Sequence, residues 1–153
     1  MIVYHYSHGI RLAAILKSGV LLPTKIGVPR HEKPAVWFTT NDFWEPTTSV
    51  RVIDRNGRLI RRLSMRECHE MVGLIRFTVN EASAPYTWSH HKRNGGMDRS
   101  TAKSLYDTAI EMGSSPSQYR MSYVPVPASK WLAVENWDGA SWQPIPDFVS
   151  TAA

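Results

Sequence analysis

The chain has 153 residues, 42% hydrophobic and 20% charged, with a net charge of +5 and a pI of about 9.6. These totals describe one globular domain with a sizeable core and exclude a disordered chain. No apolar run approaches the ~20 residues that span a bilayer, the first residues lack the regions of a signal peptide, and the single cysteine, Cys68, excludes an internal disulfide, so a cytoplasmic protein with no membrane partner is expected.

The opening stretch VYHYSHGIRLAAILKSGVLLPT predicts a strand over Ile2–Tyr6 and a helix over Ile10–Lys17. Strand alternation sets Ile2, Tyr4 and Tyr6 against Val3, His5 and Ser7. Leu12, Ile15 and Leu16 make one apolar helix face, and Gly19 is the expected stop. Residues 22–34, with three prolines, read as a loop. AVWFTT (Ala35–Thr40) reads as a strand, and NDFWEPTTS as a turn that can open a short helix.

RVIDRNGRLIRR predicts a hairpin about Asn56-Gly57. Ser64 and Glu67 form the pattern of a capping box ahead of a short helix. Val72–Val79 reads as a central strand. The following polar and aromatic segment, 80–97, carries SHHKRNGG as a basic loop tip. A helix is expected over DRSTAKSLYDTAIEMG, ending at Gly113, then a strand from about Gln118 to Val124. KWLAVENW, an Asp138-Gly139 turn and SWQPI complete a strand pair. The domain is expected to span 1–146, with a frayed tail over 147–153. Strands dominate with two or three helices, an α+β class.

The six histidines include no pair at metal-ligand spacing, and Cys68-His69 has no second pair, so no metal site is expected. The chain has no nucleophile elbow, no G-x-G-x-x-G and no P-loop lysine. The basic balance favours an anionic partner. SHHKRNGG is open to two readings, a solvated tip or a phosphate-contacting loop with Tyr86 and Trp88 as stacking partners.

YHYSHGIRLAAILKSGVL resembles the opening of ADP-ribosyltransferase-fold proteins: a strand with histidine, a small hydroxyl residue, then a helix ending in an "IL..GL" pattern. The nearest likeness is to bacterial toxins that ADP-ribosylate DNA bases, with a more distant one to poly(ADP-ribose) polymerases and RNA 2′-phosphotransferases. AVWFTT is similar to the family's second motif and SQYRMSYVPVPASKWLAV to its third. The resemblance implies a split pair of small antiparallel sheets around a cleft that binds NAD as substrate.

It implies that His5 holds the adenosine ribose, that Ser7 sits where the family's threonine or serine approaches the nicotinamide side, and that Tyr4 and Tyr6 flank them, with Arg11 also in the cofactor site. Arg11 stands where the DNA-modifying toxins carry an asparagine. Thr39 and Thr40 would line the nicotinamide pocket, with Trp37 or Trp44 stacking on the ring. Gln118 stands where the family has its glutamate; Glu135 or Glu111 are alternative sources of a carboxylate. Arg120, His91, Lys92 and Arg93 would contact the acceptor. The implied activity is transfer of ADP-ribose with release of nicotinamide, to DNA or RNA, under the control of an antitoxin or an ADP-ribosylhydrolase. The alternatives are a 2′-phosphotransferase reaction or a module that binds nucleic acid or protein without turnover.

Overall fold

The computed structural model describes residues 1–146 and 148. The chain begins with β1 (Ile2–His8), a 3₁₀ turn over Gly9–Arg11 and α1 (Leu12–Ser18), followed by the short β2 (Val20–Leu21) and β3 (Val36–Thr39). A second 3₁₀ turn (Pro46–Thr48) leads to the hairpin β4 (Arg51–Ile53) and β5 (Leu59–Arg62). Then come α2 (Met65–Val72), β6 (Leu74–Asn80), β7 (Tyr86–Thr87), α3 (Trp88–Asn94) and α4 (Arg99–Glu111). The strands β8 (Tyr119–Ser122), β9 (Val126–Pro127), β10 (Trp131–Trp137) and β11 (Trp142–Pro144) close the domain.

Seven strands form one sheet in the order β11-β10-β6-β1-β3-β8-β7, and every pairing is antiparallel. The α+β class holds. In place of the expected split pair there is one large sheet with a seam, beside two two-stranded antiparallel sheets, β2-β9 and β4-β5. β1 pairs with β6 along its whole length, from Ile2↔Asn80 to His8↔Leu74, but meets β3 at Tyr4↔Thr39 alone. The halves stay joined because of that pair and because the His5 ring bridges to the Trp37 carbonyl oxygen beside it.

Local signals account for the ends of the helices. Gly19 adopts the left-handed conformation (φ +67°) and its N–H donates to the Ile15 carbonyl, ending α1. The Ser64 hydroxyl accepts from the Glu67 N–H while the Glu67 carboxylate accepts from the Ser64 N–H, so the capping box forms as expected. The fourth helix was not expected. SHHKRNGG is not a loop tip: Thr87 caps the segment by accepting from the His90 N–H, and Trp88 and His91 turn inward, which makes residues 88–94 a helix.

The core lies on both faces of the sheet. Val3, Val36, Phe38, Ile75, Phe77, Val79, Trp131 and Val134 pack on one face against Leu12, Ile15 and Leu16 of α1. Burying a side chain such as Phe77 stabilises by roughly 1.5–3 kcal/mol. On the other face Trp88, Met97, Ala102 and Ala109 enclose Tyr119 and Trp37, and a third cluster joins Trp44, Leu63, Cys68 and Leu74. Phe148 packs on Trp131 with ring centroids 6.0 Å apart, so this part of the expected frayed tail is docked. The remaining tail positions, 147 and 149–153, lie outside the described residues. Among the described residues no helix is long and apolar enough to cross a membrane.

Candidate functional site

Strand alternation and register divide the expected site between the two faces of the sheet. Tyr4 stands opposite Thr39, and Thr39 opposite Tyr119, so Tyr4, Tyr6, Trp37, Thr39 and Tyr119 share one face. His5 and Ser7 share the other.

On the His5 face, a cavity of about 600 Å³ is bounded by β1, α1 and the segment 20–24. His5, Ser7, Arg11, Ser18 and Thr24 supply its polar groups, and Ile10, Ile15, Leu21 and Leu22 its apolar walls. The His5 ring lies between Phe38 and Phe77, at centroid distances of 5.6 and 6.2 Å. Burial lowers its pKa from the ordinary value of 6.5, with a smaller push from Arg11 in the same direction, so the ring is neutral at pH 7. A neutral ring 2.7 Å from the Trp37 carbonyl must place its proton on Nδ1, which donates to that oxygen. Nε2 is then an acceptor, with no hydrogen-bond partner among the described residues. The Arg11 guanidinium has no ion pair there either. A hydroxyl acceptor, a serine and an unpaired cation around one cavity suit a ribose and a phosphate.

On the opposite face, a cleft of about 260 Å³ lies under the Pro46–Thr48 turn. Its walls are Tyr4, Tyr6, Trp37, Thr39 and Tyr119, and Glu45 sits at its edge. Tyr4 and Tyr6 are stacked, with centroids 6.3 Å apart and planes 27° from parallel. Burial raises the pKa of the Tyr6 hydroxyl, which donates to the Asn41 carbonyl. The two cavities share Trp37, at the seam where β1 and β3 part.

Glu45 is 4% exposed. Its Oε1 accepts hydrogen bonds from the hydroxyls of Ser114 (2.5 Å), Thr47 (2.7 Å) and Tyr119 (3.3 Å), and from the Thr47 N–H (3.3 Å). Burial raises the pKa of Tyr119, which keeps its proton as a donor. Oε2 is buried and has no hydrogen-bond partner among the described residues. Buried acceptors are normally satisfied, so this oxygen beside the cleft is free to accept from a ligand or a water; Ser49 Oγ, His69 Nδ1 and Thr78 Oγ1 are unmatched as well among the described residues. The sequence reading treated EPTT as a turn and missed this residue. An acid before proline is visible there, but only as a local cap; its burial depends on Ser114 and Tyr119, some 70 residues away.

The other expected site residues fall elsewhere. Gln118 does not begin a strand: Pro116 opens a 3₁₀ turn that holds it, its carbonyl accepts from the Thr40 N–H, and its side chain lines neither cavity. Thr40 is likewise outside both cavities. Arg120 turns back, donating from Nη1 to the Ser117 and Tyr119 carbonyls. His91 is fully buried between Tyr123 and Glu32 and edge-on to Trp37, so it packs the interior and reaches no acceptor. Lys92 lies over the Trp88 ring, and Arg93 is exposed on α3.

The alternative carboxylates line neither cavity. Glu135 pairs with Arg76 at 2.8 Å, and the Arg76 guanidinium stacks between Tyr4 and Trp142. Glu111 is exposed at the end of α4. Trp44 is buried in the cluster with Leu63 and Cys68 and is not available for stacking in the cleft. No group of three or more metal-ligating side chains occurs among the described residues. A scan against protein-family models, a search of curated proteins and a search of solved structures each find no match to this chain.

Proposed function

We propose that the chain is an NAD-dependent ADP-ribosyltransferase that releases nicotinamide and passes ADP-ribose to a nucleic-acid acceptor. The observation that carries this reading is a pair of cavities that flank the β1–β3 seam on opposite faces of the sheet and share Trp37, one lined by His5, Ser7 and Arg11 and the other an aromatic cleft with the buried Glu45 carboxylate at its edge. The larger cavity suits the ADP-ribose moiety: Nε2 of His5 accepts from a ribose hydroxyl and Arg11 faces the pyrophosphate. The aromatic cleft suits the nicotinamide ring, which stacks on Tyr4, Tyr6 or Trp37.

Glu45, rather than Gln118, then supplies the charge. The bond that breaks joins C1′ of the ribose to the ring nitrogen, and the departing neutral nicotinamide takes the electron pair. Positive charge develops on the ribose, and a carboxylate fixed by three hydroxyl donors stabilises it without reorganising. The acceptor's lone pair forms the new bond to C1′, and its proton is lost to solvent.

One observation favours a second reading, a nucleotide-binding module without turnover: no acidic side chain lines the His5 cavity. Both are tested by following free nicotinamide from NAD in the presence of a mixed-sequence oligonucleotide, with wild type beside His5→Ala. Release that His5→Ala reduces at least tenfold supports the transferase. NAD that protects the protein against heat without being cleaved supports the module. Neither release nor protection refutes both.

A further inference from the structure

The β4–β5 hairpin concentrates the charge of the chain. Residues 51–62 hold five arginines and one aspartate, a net of four positive charges, against +5 for all 153 residues. Asp54 is the one counter-charge in that net, and its carboxylate is held within the turn, accepting from the N–H groups of Asn56 and Arg58. Gly57, at φ +79°, closes that turn. Of the five arginines only Arg61 has an acidic partner among the described residues, Glu67 at 2.8 Å. Arg51, Arg55 and Arg58 are exposed.

Two features set this apart from an ordinary solvated face. Arg51 and Arg62 stand directly opposite each other in the ladder, a like-charge pair that destabilises a two-stranded ribbon. Ile53, Leu59 and Ile60 are 53–63% exposed on the same ribbon, so apolar surface is interleaved with the cations. The ribbon also leads to the candidate site. Arg62 lines a groove of about 430 Å³ together with Trp37, Thr47 and Tyr119, which are three of the residues that wall the aromatic cleft.

We propose that the β4–β5 hairpin binds the phosphate backbone of a nucleic acid and guides it to the cleft. Arg51, Arg55 and Arg58 contact successive phosphates, and Arg62 marks the entrance. The direction of delivery rests on the transferase reading above; the binding itself does not and is measured without NAD.

The test is fluorescence anisotropy of a labelled 20-nucleotide DNA, single-stranded and duplex, at 50 and 200 mM salt. Wild type is compared with the triple variant Arg51→Gln, Arg55→Gln, Arg58→Gln, and with Lys92→Gln, Arg93→Gln on α3. Three lost phosphate contacts reduce the salt slope by about 2.7 on duplex and about 2.1 on single strand. The fourfold rise in salt therefore costs wild type about 40-fold more affinity than the triple variant on duplex, or about 20-fold more on a single strand, and the form that wild type binds more tightly at 50 mM salt is the preferred one. Removing Arg51 relieves its repulsion with Arg62, so the triple variant melts no lower than wild type. An unchanged slope in the triple variant overturns the proposal, as does a slope that falls only in the α3 variant. Equal affinity for polyglutamate would identify an acidic protein as partner and also overturn it. Normal nicotinamide release beside an unchanged slope would remove the hairpin proposal alone; a reduced slope without release would remove the transferase alone.

Discussion

Replacing Glu45 by glutamine separates the charge of this residue from its packing. The amide oxygen of Glu45→Gln can still accept from Ser114, Thr47 and Tyr119, so the network around Oε1 keeps its shape. What is lost is the negative charge beside the cleft. Loss of one such preorganised group commonly costs 10²–10³ in rate, about 2.7–4 kcal/mol. Glu45→Ala acts differently. It removes the acceptor of three hydroxyls in a buried setting, at about 1–3 kcal/mol for each left unsatisfied. Ser114 and Thr47 lie 3.1 and 3.4 Å from the Tyr119 hydroxyl and can partly rewire, which brings the expected cost to about 2–4 kcal/mol. For a domain of this size that lowers the melting temperature by roughly 5–15 °C. Nicotinamide release and thermal unfolding should therefore be measured on the same preparations. Glu45→Gln should lose at least 100-fold in release with little change in melting, Glu45→Ala should lose both, and Gln118→Ala should stay near wild type in each. A Glu45→Gln variant within threefold of the wild-type rate would refute the assignment of charge stabilisation to Glu45, and a Gln118→Ala variant that loses the activity would return that role to the third motif.

Two further outcomes are expected from the fold alone. The pKa of His5 is depressed in the folded state, so its contribution to stability is present above the unfolded value near 6.5 and is lost as pH falls through the lower, folded value. Urea midpoints at pH 7.5 and pH 5 should show wild type losing stability on acidification and His5→Asn losing less; equal losses would contradict the neutral, half-buried ring. Ser64→Ala should cost about 1 kcal/mol through loss of the cap, or roughly 2–4 °C in melting temperature. Arg61 and the Ser64 N–H hold the Glu67 carboxyl at about 2, so wild type should retain the Glu67 half of the box at pH 4, and Ser64→Ala should cost the same there as at pH 7.

The elements that short-range signals specify were legible. The β1 alternation, the Gly19 stop, the Ser64–Glu67 box, the β4–β5 turn and the β10–β11 pair all need only neighbours a few residues apart. What failed depended on distant partners. His91 reads as basic and polar, yet it is buried because Tyr123, Glu32 and Trp37 close around it. Gln118 was placed on a strand by its surroundings, whereas Pro116 diverts the chain into a turn first. The split of the expected site between two faces was half visible. The alternation in β1 separates His5 from Tyr6, but the face taken by Trp37 and Thr39 depends on a register between β1 and β3 that a single residue pair defines.

That narrow junction has a mechanical meaning. A sheet joined by a full ladder is stiff across its width, while one joined at Tyr4 and Thr39 has a line along which its halves can shear with few ladder bonds to break. The β1 side of the line holds four strands and the β3 side three. A molecule seated in either cavity touches both β1 and β3, so it acts as a tie between two plates. Amide hydrogens along the facing edges of β1 and β3 report the slack in that joint, and their exchange slows when the tie is in place.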